Sequence, residues 1–285
     1  MCDETTVSDN AKAGFSRRDF AVSGAALAML LPSPANAVTV TESDVNVKTP
    51  DGVADCYFVH PSSGPAPAVL IWPDILGLRP TFRAMGKRLA ESGYAVLVVN
   101  PFYRSAKAPV LKEGESFSDP AVRAKLTPMA RVFTADTQTR DANAFVSWLD
   151  SQKAVDTRRK MATTGYCMGG PFVMRTAAAF PNRIGAACTF HGGGLATDKP
   201  DSPHLLIPKM KASFLIAIAD NDDKNDPKAK DTLRASFAAA KLPAEIEVYA
   251  GANHGWCPPD MEAYNKESAE KAWSRQLALF AKALA

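Results

Sequence analysis

Residues Thr163-Thr164-Gly165-Tyr166-Cys167-Met168-Gly169-Gly170 constrain this chain more than any other stretch. β-formers precede them, a helical pattern follows, and between the two the sequence reads Gly-x-Cys-x-Gly. Such spacing specifies a sharp strand-to-helix turn. Glycine is needed on both sides of the cysteine, because side chains there would clash with the strand and the helix packed against the turn. A cysteine at the apex sits at a helix N-terminus, where the backbone dipole favours a thiolate. A buried, inert cysteine in a glycine-rich turn would give the same five letters. An acid and then a histidine, each at a later strand end, would separate the two readings.

The chain is long enough to supply those strands. Its 285 residues are 46% hydrophobic and 22% charged, an ordinary globular composition. A formal charge of +3 is too small to argue for nucleic acid or a membrane as partner. The cysteines at 2, 56, 167, 188 and 257 form no Cys-x-x-Cys pair and no Cys/His cluster. The sequence therefore points to no metal site and no disulfide framework. The chemistry it suggests needs no metal or organic cofactor.

Asp44–Lys48 and Val53–Val59 alternate as strands around Pro50-Asp51-Gly52, a hairpin signal. Ala68–Trp72 and Tyr94–Val99 are continuous apolar runs, as expected of strands buried on both faces. Between them, Phe82, Met85 and Leu89 share one face of a helix over Pro80–Ser92. Further strands are expected over Lys160–Thr164, Ile184–Phe190, Ala212–Ala219 and Ala244–Ala250. Further helices are expected over Thr134–Gln152, Pro171–Ala179, Pro227–Ala240 and Met261–Leu284. Residues 105–133 contain Pro109, Pro120 and Pro128 and read as a long irregular stretch, either a lid over a site or a surface excursion.

Strands alternating with helices imply an α/β fold, a mostly parallel central sheet with helices on both faces. Ligands on such sheets bind beyond the carboxyl ends of the strands. Asp74, Cys167, the cluster Asp220–Asp223 and His254 all fall at such ends. Nucleophile, acid, histidine is the chain order of α/β-hydrolases. His254, after the last strand, would take the thiol proton, and an aspartate would hold its tautomer and balance its charge. Asp220, Asp222 and Asp223 are equal candidates on the residues alone. His191 follows the strand directly after the nucleophile, too early for the base, and reads as a pocket-lining or internally satisfied histidine.

The N-terminus carries a second message. Ser16-Arg17-Arg18-Asp19-Phe20 is a twin-arginine core, an apolar run follows to about Leu31, and Ala35-Asn36-Ala37 is a small-residue cleavage pattern. Residues 1–37 read as a twin-arginine signal peptide, with an apolar run too short for a comfortable membrane span. The mature domain is then 38–285. The expected partner is the twin-arginine export machinery, the expected location periplasmic or secreted, and no stable membrane association is expected after cleavage.

Five pieces together carry a resemblance. They are Trp72-Pro73-Asp74-Ile75-Leu76-Gly77, Pro101-Phe102-Tyr103-Arg104, Gly165–Gly170, Ala219–Asp223 and Asn253-His254-Gly255-Trp256. From about Val38 to the C-terminal helix the chain resembles the dienelactone hydrolase (carboxymethylenebutenolidase-like) family. The resemblance implies an α/β-hydrolase fold and hydrolysis of a carboxylic ester or lactone through an acyl-enzyme. It implies a triad of Cys167, Asp222 and His254, with the backbone N–H groups of Ile75 and Met168 as the oxyanion hole. It implies that Asp74 interacts with the resting thiol, where well-known members carry the longer Glu. It places Arg104 where a substrate carboxylate binds, with Tyr103 and Trp256 also on the substrate. Pro258 stands where a second arginine is found in the family. Bidentate capture of a carboxylate is weakened accordingly, so a related small ester or lactone is expected rather than necessarily the family's namesake substrate. The expected state is a monomer. A non-catalytic binding protein on the same scaffold is the competing reading. A redox protein pairing Cys167 with Cys188 or Cys257 lacks a paired motif.

Overall fold

The computed structural model describes residues 31–112 and 114–285. The twin-arginine core and most of its apolar run lie outside the described residues. The fold is built on β1 (Val40–Thr49), β2 (Gly52–Pro61), β3 (Ala68–Trp72), β4 (Ala95–Val99), β5 (Met161–Tyr166), β6 (Ile184–Phe190), β7 (Ser213–Ala219) and β8 (Ala244–Tyr249). They form one eight-stranded sheet in the order β1-β2-β4-β3-β5-β6-β7-β8. β2 runs antiparallel to both β1 and β4, and all later pairings are parallel.

The parallel strands deliver the site because their side chains fill both faces. In β3 every residue is buried. Ala68, Leu70 and Trp72 join the apolar cluster on one face, while Val69 and Ile71 join the cluster on the other, the alternation a pleat imposes. The first face is covered by α3 (Ala135–Asp150) and α4 (Gly169–Ala179), through residues such as Phe145 and Phe172. The second is covered by α1 (Pro80–Glu91) and the C-terminal α7 (Lys266–Ala283), through Phe82 and Phe280. The apolar spacing of α1 dictates this, since Phe82, Met85 and Leu89 are all buried. α3 begins at a capping box on Thr134, whose hydroxyl accepts the Thr137 N–H.

Three stretches differ from expectation. Residues 105–133 are not irregular throughout: α2 (Pro120–Ala130) forms there, started by Pro120 and capped by Asp119, which accepts the Ala121 N–H. Pro128 lies inside that helix, within its last turn. The stretch is also no loose excursion, because Val110, Leu111, Phe117, Val122 and Leu126 are buried. Asp220–Asp223 do not form a simple turn but open a short helix, α5 (Asp220–Asn225), whose first turn carries three acids. The C-terminal helix starts later than Met261, because the Asn265 side chain accepts the Ser268 N–H and fixes the start at Lys266. A 3-10 segment at Pro203–Lys209 and α6 (Ala229–Ala239) complete the connections.

Candidate active site

At the end of β5, Cys167 has φ 51°, a left-handed conformation that a side chain adopts only under constraint. Its N–H donates to the Phe190 carbonyl at the end of β6, at 3.0 Å. The glycines around it meet the demand read from the sequence. A Cβ on Gly165 would lie 2.4 Å from the Gly169 carbonyl oxygen, and one on Gly169 would lie 2.3 Å from the Trp72 carbonyl oxygen. On Gly170 it would lie 2.8 Å from the Gly192 Cα. The turn therefore packs backbone against backbone on three sides, and α4 starts directly beneath the sulfur. The α4 N-terminus favours negative charge there.

His254 follows β8 in the loop 250–265. Its Nδ1 lies 2.7 Å from Asp222 Oδ2, and its backbone N–H donates to Asn221 Oδ1 at 2.8 Å. α5 thus holds His254 at two points, the ring through Asp222 and the backbone through Asn221. On its other side His254 is hydrogen-bonded to Cys167. Burial alone would push the imidazole down. The negative charge of the Cys167 sulfur, then that of Asp222, outweigh burial and raise its pKa from 6.5 to about 10. An ionised Cys167 and a protonated His254 would therefore stabilise one another. Cys167 and His254 are both buried, at 1% and 2% exposure, so little water competes for that charge.

The three aspartates of α5 have separate partners. Asp220 pairs with Lys224 at 2.8 Å, Asp223 with Lys230 at 2.7 Å, and only Asp222 faces the histidine.

Asp74, after β3, is buried at 1% exposure. Its Oδ1 accepts the Leu76 N–H at 2.9 Å, and both oxygens accept from Arg79, at 2.7 and 3.0 Å. Arg79 also grips Asp260 through Nε and a terminal nitrogen, at 2.6 and 2.8 Å. Burial raises the Asp74 carboxyl, Arg79 opposes that rise, and the charge on Cys167 adds to it. Asp74 thus senses the sulfur electrostatically while its oxygens are committed to Arg79. The Arg79–Asp260 pairing escaped sequence reading, because 181 residues separate the partners. Ile75 is the residue between Asp74 and Leu76. The hydrogen bonds around this turn run from Leu76 N and Gly77 N to Asp74, leaving the Ile75 N–H out of them.

Arg104 lies beside the β1–β2 turn. It makes a fork on Asp141 at 2.8 and 2.7 Å and contacts Asp51 at 2.5 Å. Tyr103 donates its hydroxyl to Asp141 at 2.8 Å. Trp256 is fully buried and stacks on Tyr249, with ring centroids 4.6 Å apart. His191, at the end of β6, is buried with its ring 5.1 Å from that of His254. Apart from a contact with its own backbone, neither ring nitrogen has a partner, so it is not internally satisfied. Residues 105–133 touch both loops of the site. Val110 lies against Gly77, and the Ser116 and Ser118 hydroxyls point at Glu262 Oε1, at 3.4 and 3.3 Å.

Among the described residues, Cys56, Cys167, Cys188 and Cys257 form no disulfide. Burial pushes the Cys188 and Cys257 thiols well up, which makes them poor redox partners for Cys167. Among the described residues, no group of three or more His, Cys, Asp or Glu side chains could hold a metal ion.

The chain is similar to known proteins over most of its length. The model of the dienelactone hydrolase family matches residues 54–284. A carboxymethylenebutenolidase of Rhodococcus opacus is 26% identical over 256 residues, covering 87% of this chain and 92% of that protein. An Escherichia coli K12 protein provisionally named a carboxymethylenebutenolidase is 29% identical over 231 residues, covering 79% of this chain and 80% of its own. Among solved structures, a dienelactone hydrolase from Anabaena variabilis superimposes with a TM-score of 0.59 at 17% identity, covering 86% of this chain and 99% of that one. A dienelactone hydrolase-like promiscuous phosphotriesterase from metagenomic libraries does so with a TM-score of 0.68 at 21% identity and the same coverage. The two structures bear on the fold and the family match on the lineage: this chain belongs to the dienelactone hydrolase family and is a hydrolase.

Proposed function

We propose that the protein hydrolyses carboxylic esters or lactones, with Cys167 as nucleophile, His254 as the proton carrier and Asp222 as its orienting acid. The observation that carries this reading is the unbroken chain from the Cys167 sulfur through His254 to Asp222, mounted on a strained turn at a helix N-terminus. The thiolate attacks the carbonyl carbon, and the Ile75 and Met168 N–H groups receive the oxyanion. Each such donor is typically worth about 10²–10³ in rate. His254 gives its proton to the leaving alkoxide, leaving an acyl group on sulfur. Water then attacks the thioester, its proton passes to His254, and the thiolate departs.

A neutral ester or lactone suits these residues better than a carboxylate-bearing one. Arg104 already carries two aspartates, and Pro258 supplies no second cation. Asp74, held by Arg79, sets the shape of the loop that presents Ile75. Assay of activated aryl esters and small lactones, neutral and carboxylate-bearing, with wild type beside Cys167→Ala, tests the reading. Turnover lost in the variant and higher on neutral substrates is expected. Equal turnover by both proteins would refute the nucleophile.

We further propose that residues 1–37 direct twin-arginine export, that the mature protein is a periplasmic or secreted monomer, and that folding before export shields the Cys167 thiol from wrong disulfides. Rerouting the protein through an unfolded-chain pathway should lower activity by thiol oxidation. Full activity with all thiols free would contradict this.

A further inference from the structure

The site contains two histidines, and the scheme above uses one. His191 is fully buried, and its backbone has φ 42°, a left-handed conformation held by the donation of its N–H to the Ala217 carbonyl at 2.8 Å. Its ring packs edge-on to His254 at 5.1 Å, and it feels the charge of both His254 and Cys167. Gly192, the next residue, lies against Gly170 at the start of α4. His191 therefore stands between the nucleophile turn and the end of β7, beside the reacting pair. Among the described residues, neither ring nitrogen has a partner on another residue. A buried polar group left in that condition is destabilising. A side chain retained in that position under backbone strain calls for a small polar guest.

We infer that His191 holds the water that deacylates Cys167. This rests on the cysteine-hydrolase reading. Once the alcohol has left, the polar species adjacent to His191, His254 and the thioester is water. The environments of the two imidazoles have pushed them apart, the pattern that separates roles in an active site. Burial, then the neighbouring His254, lowers the His191 pKa to about 3, whereas that of His254 is raised to about 10. His191 thus stays neutral, with one nitrogen free to accept and the other to donate. It lacks a carboxylate to orient it as a base. In the step itself, one water hydrogen rests on the accepting nitrogen of His191 while the other passes to His254. The water oxygen bonds to the carbonyl carbon, the carbon–sulfur bond breaks, and the electron pair returns to Cys167 as thiolate. The products are the free acid and the restored thiolate–imidazolium pair.

The test is burst kinetics with 4-nitrophenyl acetate on wild type, His191→Phe and His191→Gln, with circular dichroism as the check on folding. In H191F the nitrophenolate burst should persist while steady turnover falls on the order of 10²-fold, the cost of misplacing a reactant. Acetyl should accumulate on Cys167, and H191Q, which can still hold water, should recover part of the turnover. Added methanol gives a second readout: the methyl acetate to acetate ratio should rise above that of wild type in H191F, where water has lost its place, and rise less in H191Q. A burst and a steady rate that fall together, or an unchanged rate and product ratio, would overturn the inference. Wild type that turns over without ever carrying acetyl would overturn the nucleophile reading and this inference together. An acetylated wild type with fully active H191F would overturn the role of His191 alone.

Discussion

His254 Nδ1 and Asp222 Oδ2 lie 2.7 Å apart, although 32 residues separate them in the chain. The contact exists because β7 ends in α5, whose first turn offers Asp222 to the histidine while Lys224 and Lys230 occupy the flanking acids. Replacing Asp222 by Asn keeps the volume but removes the charge that orients the imidazole. Turnover should fall on the order of 10²–10⁴-fold, the range of a general acid–base contribution. Asp220→Asn and Asp223→Asn should stay near wild type in the same steady-state assay. A larger loss in either would move the acid role away from Asp222.

Among the described residues, Arg79 is the cation that answers the buried carboxylate of Asp74. Arg79→Met strands that group, and breaking a buried pair from one side costs about 3–5 kcal/mol. Urea unfolding should show a loss of this size, with much of it recovered in the Arg79→Met, Asp74→Leu double variant. A single variant as stable as wild type would mean that the clamp contributes little to the fold.

The proton on His254 should report the thiolate. Its pKa is raised to about 10 against the pull of burial, and the largest raising cause is the charge on Cys167. The imidazole should therefore remain protonated through neutral pH and release its proton only as pH climbs towards 10. Removing the sulfur in Cys167→Ala removes that cause, so the titration should move to lower pH. Ring-carbon NMR of labelled histidine reads both curves. An unmoved midpoint would show that Asp222 alone sets the proton affinity.

Gly169 lies against the carbonyl of Trp72, where an added Cβ would approach to 2.3 Å. Gly169→Ala forces the nucleophile turn away from β3, and overpacking of this kind costs about 1–3 kcal/mol. Both thermal stability and turnover should drop, whereas Gly93→Ala, with open space around it but φ 96°, should lower stability through backbone strain and leave turnover unchanged.

Much of the sheet was legible in the sequence because parallel strands such as β3 and β4 are continuous apolar runs. Ala68–Trp72 and Ile184–Phe190 have the bounds read from their residues. The sharp turn at Cys167 was equally legible, since the glycines on both sides of it are packed against backbone. α2 was obscured by its prolines: Pro120 and Pro128 read as breakers, yet the first starts the helix and the second falls in its last turn. The ion pairs escaped for a different reason. Arg79 meets Asp260, and Arg104 meets Asp141, only through tertiary packing, so no local pattern announces them. His191 read as pocket-lining or satisfied, and only the burial of its two unpartnered nitrogens distinguishes those alternatives.

The central claim is that the acyl group passes through sulfur. Mixing the protein with an activated aryl ester, quenching in acid within the first turnovers and mapping the modified peptide by mass spectrometry tests it most directly. The account predicts one acyl group, on Cys167, that disappears as turnover completes and never forms in Cys167→Ala. Undiminished turnover in that variant, or an acyl group carried on another residue, would contradict it.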